Sequence, residues 1–122
     1  MKQSMEEKQH ADKLMEYQVR RGGRVVLHNV MKPQKQEWEN LELAFRTALE
    51  LERANNTALL ELHSVVDSKS DPDCRNFLQK NYLREQVNEI ENMARRLNHC
   101  RRVGGGLGEY MYDRELLEKA KQ

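Results

Sequence analysis

An all-α protein is predicted from three observations. Apolar side chains recur at alternating three- and four-residue steps over long stretches, the spacing that lines one face of a helix. Helix punctuation separates these stretches: Arg21-Gly22-Gly23, Asp71-Pro72 and Gly104-Gly105-Gly106. No strand-like alternation of any length intervenes, and the chain has only two prolines. Its 122 residues suit one domain, 1–122, with a modest core. At 34% charged and 38% hydrophobic residues, the composition is that of a soluble chain. No apolar run nears the roughly 18 residues that span a bilayer, and no charged-then-apolar opening suggests a leader, so a cytosolic protein is expected. A net charge of +1 supplies no field to recruit nucleic acid. The local cluster Arg95, Arg96, Arg101 and Arg102 reads as cations favoured near a helix C-terminus. Cys74 and Cys100 lack a CxxC partner and are expected to be unpaired thiols.

The first helix is expected over residues 1 to about 20, with Glu7, His10, Leu14 and Tyr17 on one stripe. Glycine just past the last turn, with arginines before it, is its stop signal. Met1 enters an already periodic pattern, and Ser4, the only plausible capping residue, comes too late to start the helix. Residues 24 to 37 carry no helical stripe. Val25, Val26 and Val30 favour extended backbone and Pro33 restricts Lys32, so a crossover loop is expected here, long enough to let neighbouring helices run parallel.

The second helix is predicted from about Trp38 to Val66, with the inward stripe Leu41, Phe45, Ala48, Glu52, Asn55, Leu59, Leu62 and Val66. Two of these are wrong for a core. Burying an unpaired carboxylate such as Glu52 costs on the order of several kcal/mol, much of a small domain's stability. A third helix opens with Asp71 as N-cap and Pro72 at the first helical position and continues to about Arg102. Its stripe is Leu83, Gln86, Ile90, Met93, Leu97 and Cys100, again with one polar intruder, Gln86. Leu107 to about Lys121 reads as a short final helix with Leu107, Met111 and Leu116 partly apolar.

Three core-facing stripes thus each carry a polar fault: Glu7 with His10, Glu52, and Gln86. Glu-x-x-His presents a carboxylate and an imidazole from one helix face, and helices of roughly 40 Å, at about 1.5 Å per residue, suit a bundle that could bring the faults to one level. Carboxylate, imidazole and amide groups together suit a hard or borderline cation such as iron. A metal-free polar network that fixes register is the competing reading.

The segments Glu6-Glu7-Lys8-Gln9-His10-Ala11-Asp12-Lys13-Leu14-Met15, Arg21-Gly22-Gly23-Arg24, Leu59-Leu60-Glu61-Leu62-His63, Tyr82-Leu83-Arg84-Glu85-Gln86-Val87 and Leu107-Gly108-Glu109-Tyr110 resemble eukaryotic ferritin of the heavy-chain type. The resemblance covers almost the whole chain, with several motifs in order at near-constant spacing. It implies an iron-storage subunit that oxidises Fe(II) with dioxygen at a diiron centre, holds Fe(III) as a mineral, and assembles with its own kind or with other ferritin subunits into a 24-subunit cage. By that correspondence Glu7 would bridge two irons, His10 and Glu52 would each complete one coordination sphere, and Gln86 would position dioxygen or its water. Glu6 matches a carboxylate that passes iron onward.

Against that family the expected fold is a ferritin-like four-helix bundle lacking its first helix and the start of the second, an N-terminal truncation, with a short C-terminal helix retained. The missing part would carry a glutamate ligand of the first iron and a nearby tyrosine. This motivates an alternative function, a non-catalytic assembly or iron-binding subunit; a metal-free helical adaptor, in which Glu52→Leu would only stabilise the fold, is a third. Lys2, Met5 and Gln9 leave only Glu6 acidic where light chains nucleate mineral, and the Gly104–Gly106 loop is shorter than the family's. Arg114 and Glu115 give the last helix a charged character at the fourfold contact.

Asn76 and Gln79 stand where the family lines its threefold channel with Asp and Glu. Losing those charges weakens the attraction of Fe(II) to the pore. Iron uptake should therefore be slower and less salt-sensitive than in an acidic-pore shell. Stopped-flow uptake by the Asn76→Asp, Gln79→Glu double variant should be faster, and an unchanged rate would contradict this.

Overall fold

The structure is a computed structural model that describes residues 2–121; the side chain of Lys2 lies outside that description, as does Met1, where the first helix was expected to begin. The described residues form helices and loops, with no strand among them. The chain divides into two compact units, one running to Gln34 and one starting at Lys35.

In the first unit, α1 spans Lys2–Arg20. Lys8 bonds Asp12 at 2.8 Å, one turn on. The helix ends as its sequence predicts. Gly22, at φ +81°, donates to the Val19 carbonyl at 2.9 Å and Gly23 donates to that of Gln18 at 2.8 Å, the paired bonds of a Schellman stop. A side chain on Gly23 would collide with Gln18. Residues 24–34 follow without regular structure, and Val26, Leu27, Val30 and Met31 are exposed along it.

In the second unit, α2 spans Leu41–Ser68. It starts three residues later than Trp38 because Asn40 caps it: Asn40 Oδ1 accepts the Leu43 N–H at 2.8 Å. Glu109 Oε1, from far along the chain, accepts the Leu41 N–H at 2.6 Å. Two of the four donors that a helix leaves open at its start are thereby satisfied. Glu42, held between Arg101 at 3.1 Å and Arg46 at 2.7 Å, has its carboxyl pulled below the usual range by those two guanidiniums.

Asp71 caps the next helix by accepting the Cys74 N–H at 3.0 Å, with Pro72 at the first helical position, as expected. What reads in sequence as one helix to about Arg102 is α3 at Pro72–Leu78, a π-turn at Gln79–Leu83, and α4 at Arg84–Val103. The π-turn has a geometric cause. Seam residues Cys74, Leu78, Tyr82, Gln86 and Ile90 recur every four positions, and at about 100° per residue each such step overshoots a full turn by about 40°. Four steps would carry the seam about 160° around the helix. One extra residue in the turn brings it back by about 100°. The expected stripe began at Leu83; the structure instead buries Tyr82 and leaves Leu83 half-buried.

The seam that α2 makes with α3, the π-turn and α4 holds two apolar clusters. Leu49, Met93 and Leu97 pack with Phe45, Ala48, Ile90 and Ala94. Val66, Leu78 and Tyr82 pack with Leu59, Cys74 and Phe77. Leu49 was not on the expected stripe, and Leu62, which was, is 40% exposed. Cys74 and Cys100 are free thiols; burial chiefly, with Glu109 and Glu42 nearby, pushes the Cys100 thiol up.

Finally α5, Leu107–Lys119, folds back against α4. A Cβ on Gly108 would overlap the Val103 carbonyl, so the turn depends on glycine there. The buried contact of α5 is Tyr112, whose ring centroid lies 4.3 Å from that of His99 and 6.3 Å from that of Phe45. Leu107 and Met111, expected to be partly apolar contacts, are exposed, and Leu116 is half-buried. No helix of the described residues is long and apolar enough to cross a membrane.

Deleting Lys80, an exposed residue of the π-turn, removes the extra residue and the widened turn together, so Leu78 and Gln86, then seven residues apart at about 100° each, stay on one face of a regular helix. Deleting Asn88, an exposed residue of α4, instead turns Gln86 and the residues before it by about 100° relative to Met93 and Leu97, and should cost about 2–5 kcal/mol more, the cost of unpacking a buried side chain. Urea midpoints of the two deletion variants test this; equal midpoints would contradict the register argument.

Candidate metal centre

Between the two apolar clusters the α2–α4 seam turns polar for one layer. Glu52 and Asn55, one turn apart on α2, meet Gln86 of α4 there. Gln86 is only 7% exposed and is the one buried polar side chain among the described residues. Its Nε2 donates to the Glu52 main-chain oxygen at 2.9 Å and to Glu52 Oε2 at 2.6 Å. Asn55 Nδ2 donates to Gln86 Oε1 at 3.2 Å. A buried amide is tolerable because its donors and its acceptor are both engaged.

The orientation of that amide follows from its neighbours. A carboxylate and a carbonyl can only accept, so the NH2 end of Gln86 must face Glu52 and the oxygen must face Asn55. The burial problem that the sequence raised for Glu52 is thus met in part by Gln86. Glu52 itself remains half-buried.

In the other unit, Glu7 and His10 share one face of α1, as the three-residue spacing requires. Glu7 Oε2 and His10 Nδ1 lie 3.4 Å apart, and the imidazole is the more sheltered of the two side chains. Glu6 is exposed beside them. Among the described residues, neither unit gathers three or more His, Cys, Asp or Glu side chains about one point. Each holds part of a donor set: carboxylate with imidazole on α1, carboxylate with amide in the α2–α4 seam. These oxygen and nitrogen donors match a hard or borderline cation rather than a thiophilic one.

A family model described as a ferritin-like domain matches residues 1–103. The chain is 43% identical over 118 residues to soma ferritin of Lymnaea stagnalis, covering 97% of this chain and 68% of that protein. This chain belongs to the ferritin family. It is also 42% identical over 120 residues to the ferritin middle subunit of Aquarana catesbeiana, covering 96% of this chain and 68% of that one. The fold class of this ferritin-family chain is accordingly the all-α, ferritin-like helical bundle.

Of the other positions singled out in the sequence, Asn76 is exposed on α3. Gln79 Nε2 lies 3.2 Å from His63 Nε2, and Arg75 bonds Asp67 at 2.9 Å, so the adjoining helix ends present a neutral amide and a charge-paired arginine. Two contributors went unassigned from sequence. Asn55 stood out as a polar fault without a role, and its partner became visible only once α4 lay beside α2. Glu109 lies within a family-like motif, but nothing local to it signals that it caps a helix 68 residues away.

Proposed function

We propose that this chain is a ferritin subunit for intracellular iron storage, which binds Fe(II) as substrate, oxidises it with dioxygen, and shares in a cytoplasmic cage of like or mixed subunits that holds Fe(III) as mineral. The observation that carries the reading is the polar layer of Glu52, Asn55 and Gln86 set between two apolar clusters. A layer of this kind weakens a core unless a ligand draws on it. Family membership and the Glu7-x-x-His10 pair support the same reading.

In this proposal both units belong to one diiron domain. Glu7, His10 and Glu52 would hold iron, with Glu7 shared between two ions, and Glu6 would receive iron leaving the site. Gln86 holds the Glu52 carboxylate in place through its N–H groups and would border the space for dioxygen or its water. Two Fe(II) would give up one electron each to one dioxygen, which with two protons leaves as hydrogen peroxide. The side chains supply negative charge, which favours Fe(III) over Fe(II), and a fixed geometry. The competing reading, a non-catalytic assembly or iron-binding subunit, is favoured by the part-sets of donors that each unit holds.

Aerobic addition of Fe(II) to the full chain distinguishes them. Ferric absorbance should rise well above the buffer rate and fall at least about tenfold in Glu52→Ala and in His10→Ala, the lower end of what even a supporting group of a metal site contributes. Oxidation at the buffer rate by a helical, assembled protein would favour the non-catalytic subunit.

A further inference from the structure

Away from the polar layer, the stretch just before α2 and the start of α5 border a cleft of about 510 Å³, within the roughly 300–1,000 Å³ usual for ligand sites. It lies wholly within the second unit. Two aromatic side chains line it and stand open to solvent: Trp38, 46% exposed, and Tyr110, 61% exposed. Leu41 adds an aliphatic wall. The charged residues of the lining are all acidic: Glu39, Glu109 and Asp113. Lys35 reaches Glu39 at 3.8 Å, a loose and exposed pair that neutralises little. Glu109 caps α2 through the Leu41 N–H at 2.6 Å, where the helix N-terminus offsets about half of one charge. Asp113 has neither an ion pair nor a hydrogen bond among the described residues.

Two needs are thus unmet at one place. Exposed rings gain from being covered, and neighbouring carboxylates gain from a cation between them. An apolar ligand answers the first alone, and a hydrated metal ion the second alone. A guanidinium answers both, because its flat face stacks on an aromatic ring while its edge donates paired N–H bonds to a carboxylate. The arginine side chain adds an apolar stem to set against Leu41. A cleft of this size exceeds one side chain and leaves room for the backbone that carries it. We propose that the cleft is a docking site for an arginine side chain of a partner polypeptide, with the guanidinium against Trp38 and Tyr110 and its charge met by Asp113 and Glu39. This surface is independent of the iron reading, which stands or falls separately.

Trp38 is the single tryptophan of the chain, so its fluorescence reports on the cleft directly. The full chain is titrated without iron with acetyl-Gly-Arg-Gly-amide and with the citrulline analogue, which keeps the stem and the planar head but carries no charge. The arginine peptide should change Trp38 emission saturably and bind about three- to tenfold more tightly than the citrulline peptide, the discrimination that a charge-assisted contact at a partly exposed site supplies. Asp113→Asn and Tyr110→Leu, both at exposed positions where the fold tolerates change, should each weaken the arginine peptide about two- to fivefold. Equal affinity for the two peptides would overturn the guanidinium assignment, and so would an arginine titration that does not saturate or that neither variant alters. N-ethylguanidinium binding as tightly as the peptide would assign the cleft to a small cation and overturn the polypeptide partner.

Discussion

The hydrogen bonds of the Gln86 amide are the constraint on which the second unit turns. A primary amide at 7% exposure must satisfy two donors and an oxygen inside the seam, and it does so only if Glu52 and Asn55 arrive at the same height on the neighbouring helix. This fixes the axial register of α2 against α4 more sharply than apolar packing could. Leucines and methionines tolerate small slips, whereas a buried amide loses its partners within about an ångström. The apolar clusters on either side supply the burial, and the polar layer between them sets where they meet.

The π-turn belongs to the same constraint. α4 must present Gln86, Ile90, Met93, Leu97 and Cys100 to α2 with helical spacing, while the stretch before it must present Leu78 and Tyr82. A regular helix cannot do both, and one widened turn at Gln79–Leu83 reconciles them. It stands within one turn of Gln86. The backbone irregularity therefore serves the placement of the polar layer as well as the burial of Leu78, which at 1% is the most enclosed large side chain.

Much of this was legible in the sequence, for physical reasons that differ by element. The caps and stops, Asp71-Pro72 and Gly22-Gly23, act through their own neighbours, so local reading finds them. The polar faults Glu52, Asn55 and Gln86 were visible because each breaks an apolar stripe. What stayed hidden depends on distant partners. A period of 3.6 favours Leu83 over Tyr82 because it carries no sign of a widened turn. Tyr112 rather than Leu107 or Met111 faces α4 and α2, a choice made by the sharp turn at Gly106–Gly108 and by the aromatic neighbours His99 and Phe45. Which atom of Gln86 faces which neighbour required both helices at once.

A ferritin-family chain that buries the Gln86 amide in its seam, with the half-buried Glu52 beside it, spends stability on polar groups where leucine would pack. A cation bound at Glu52 is the proposed use of that layer. The most direct test is anomalous diffraction at the iron edge from crystals of the assembled protein soaked with ferrous salt under anaerobic conditions. An anomalous peak within coordination distance of the Glu52 carboxylate is the expected result. A well-ordered Glu52 with no anomalous density beside it, in crystals that bind iron elsewhere, would contradict the account.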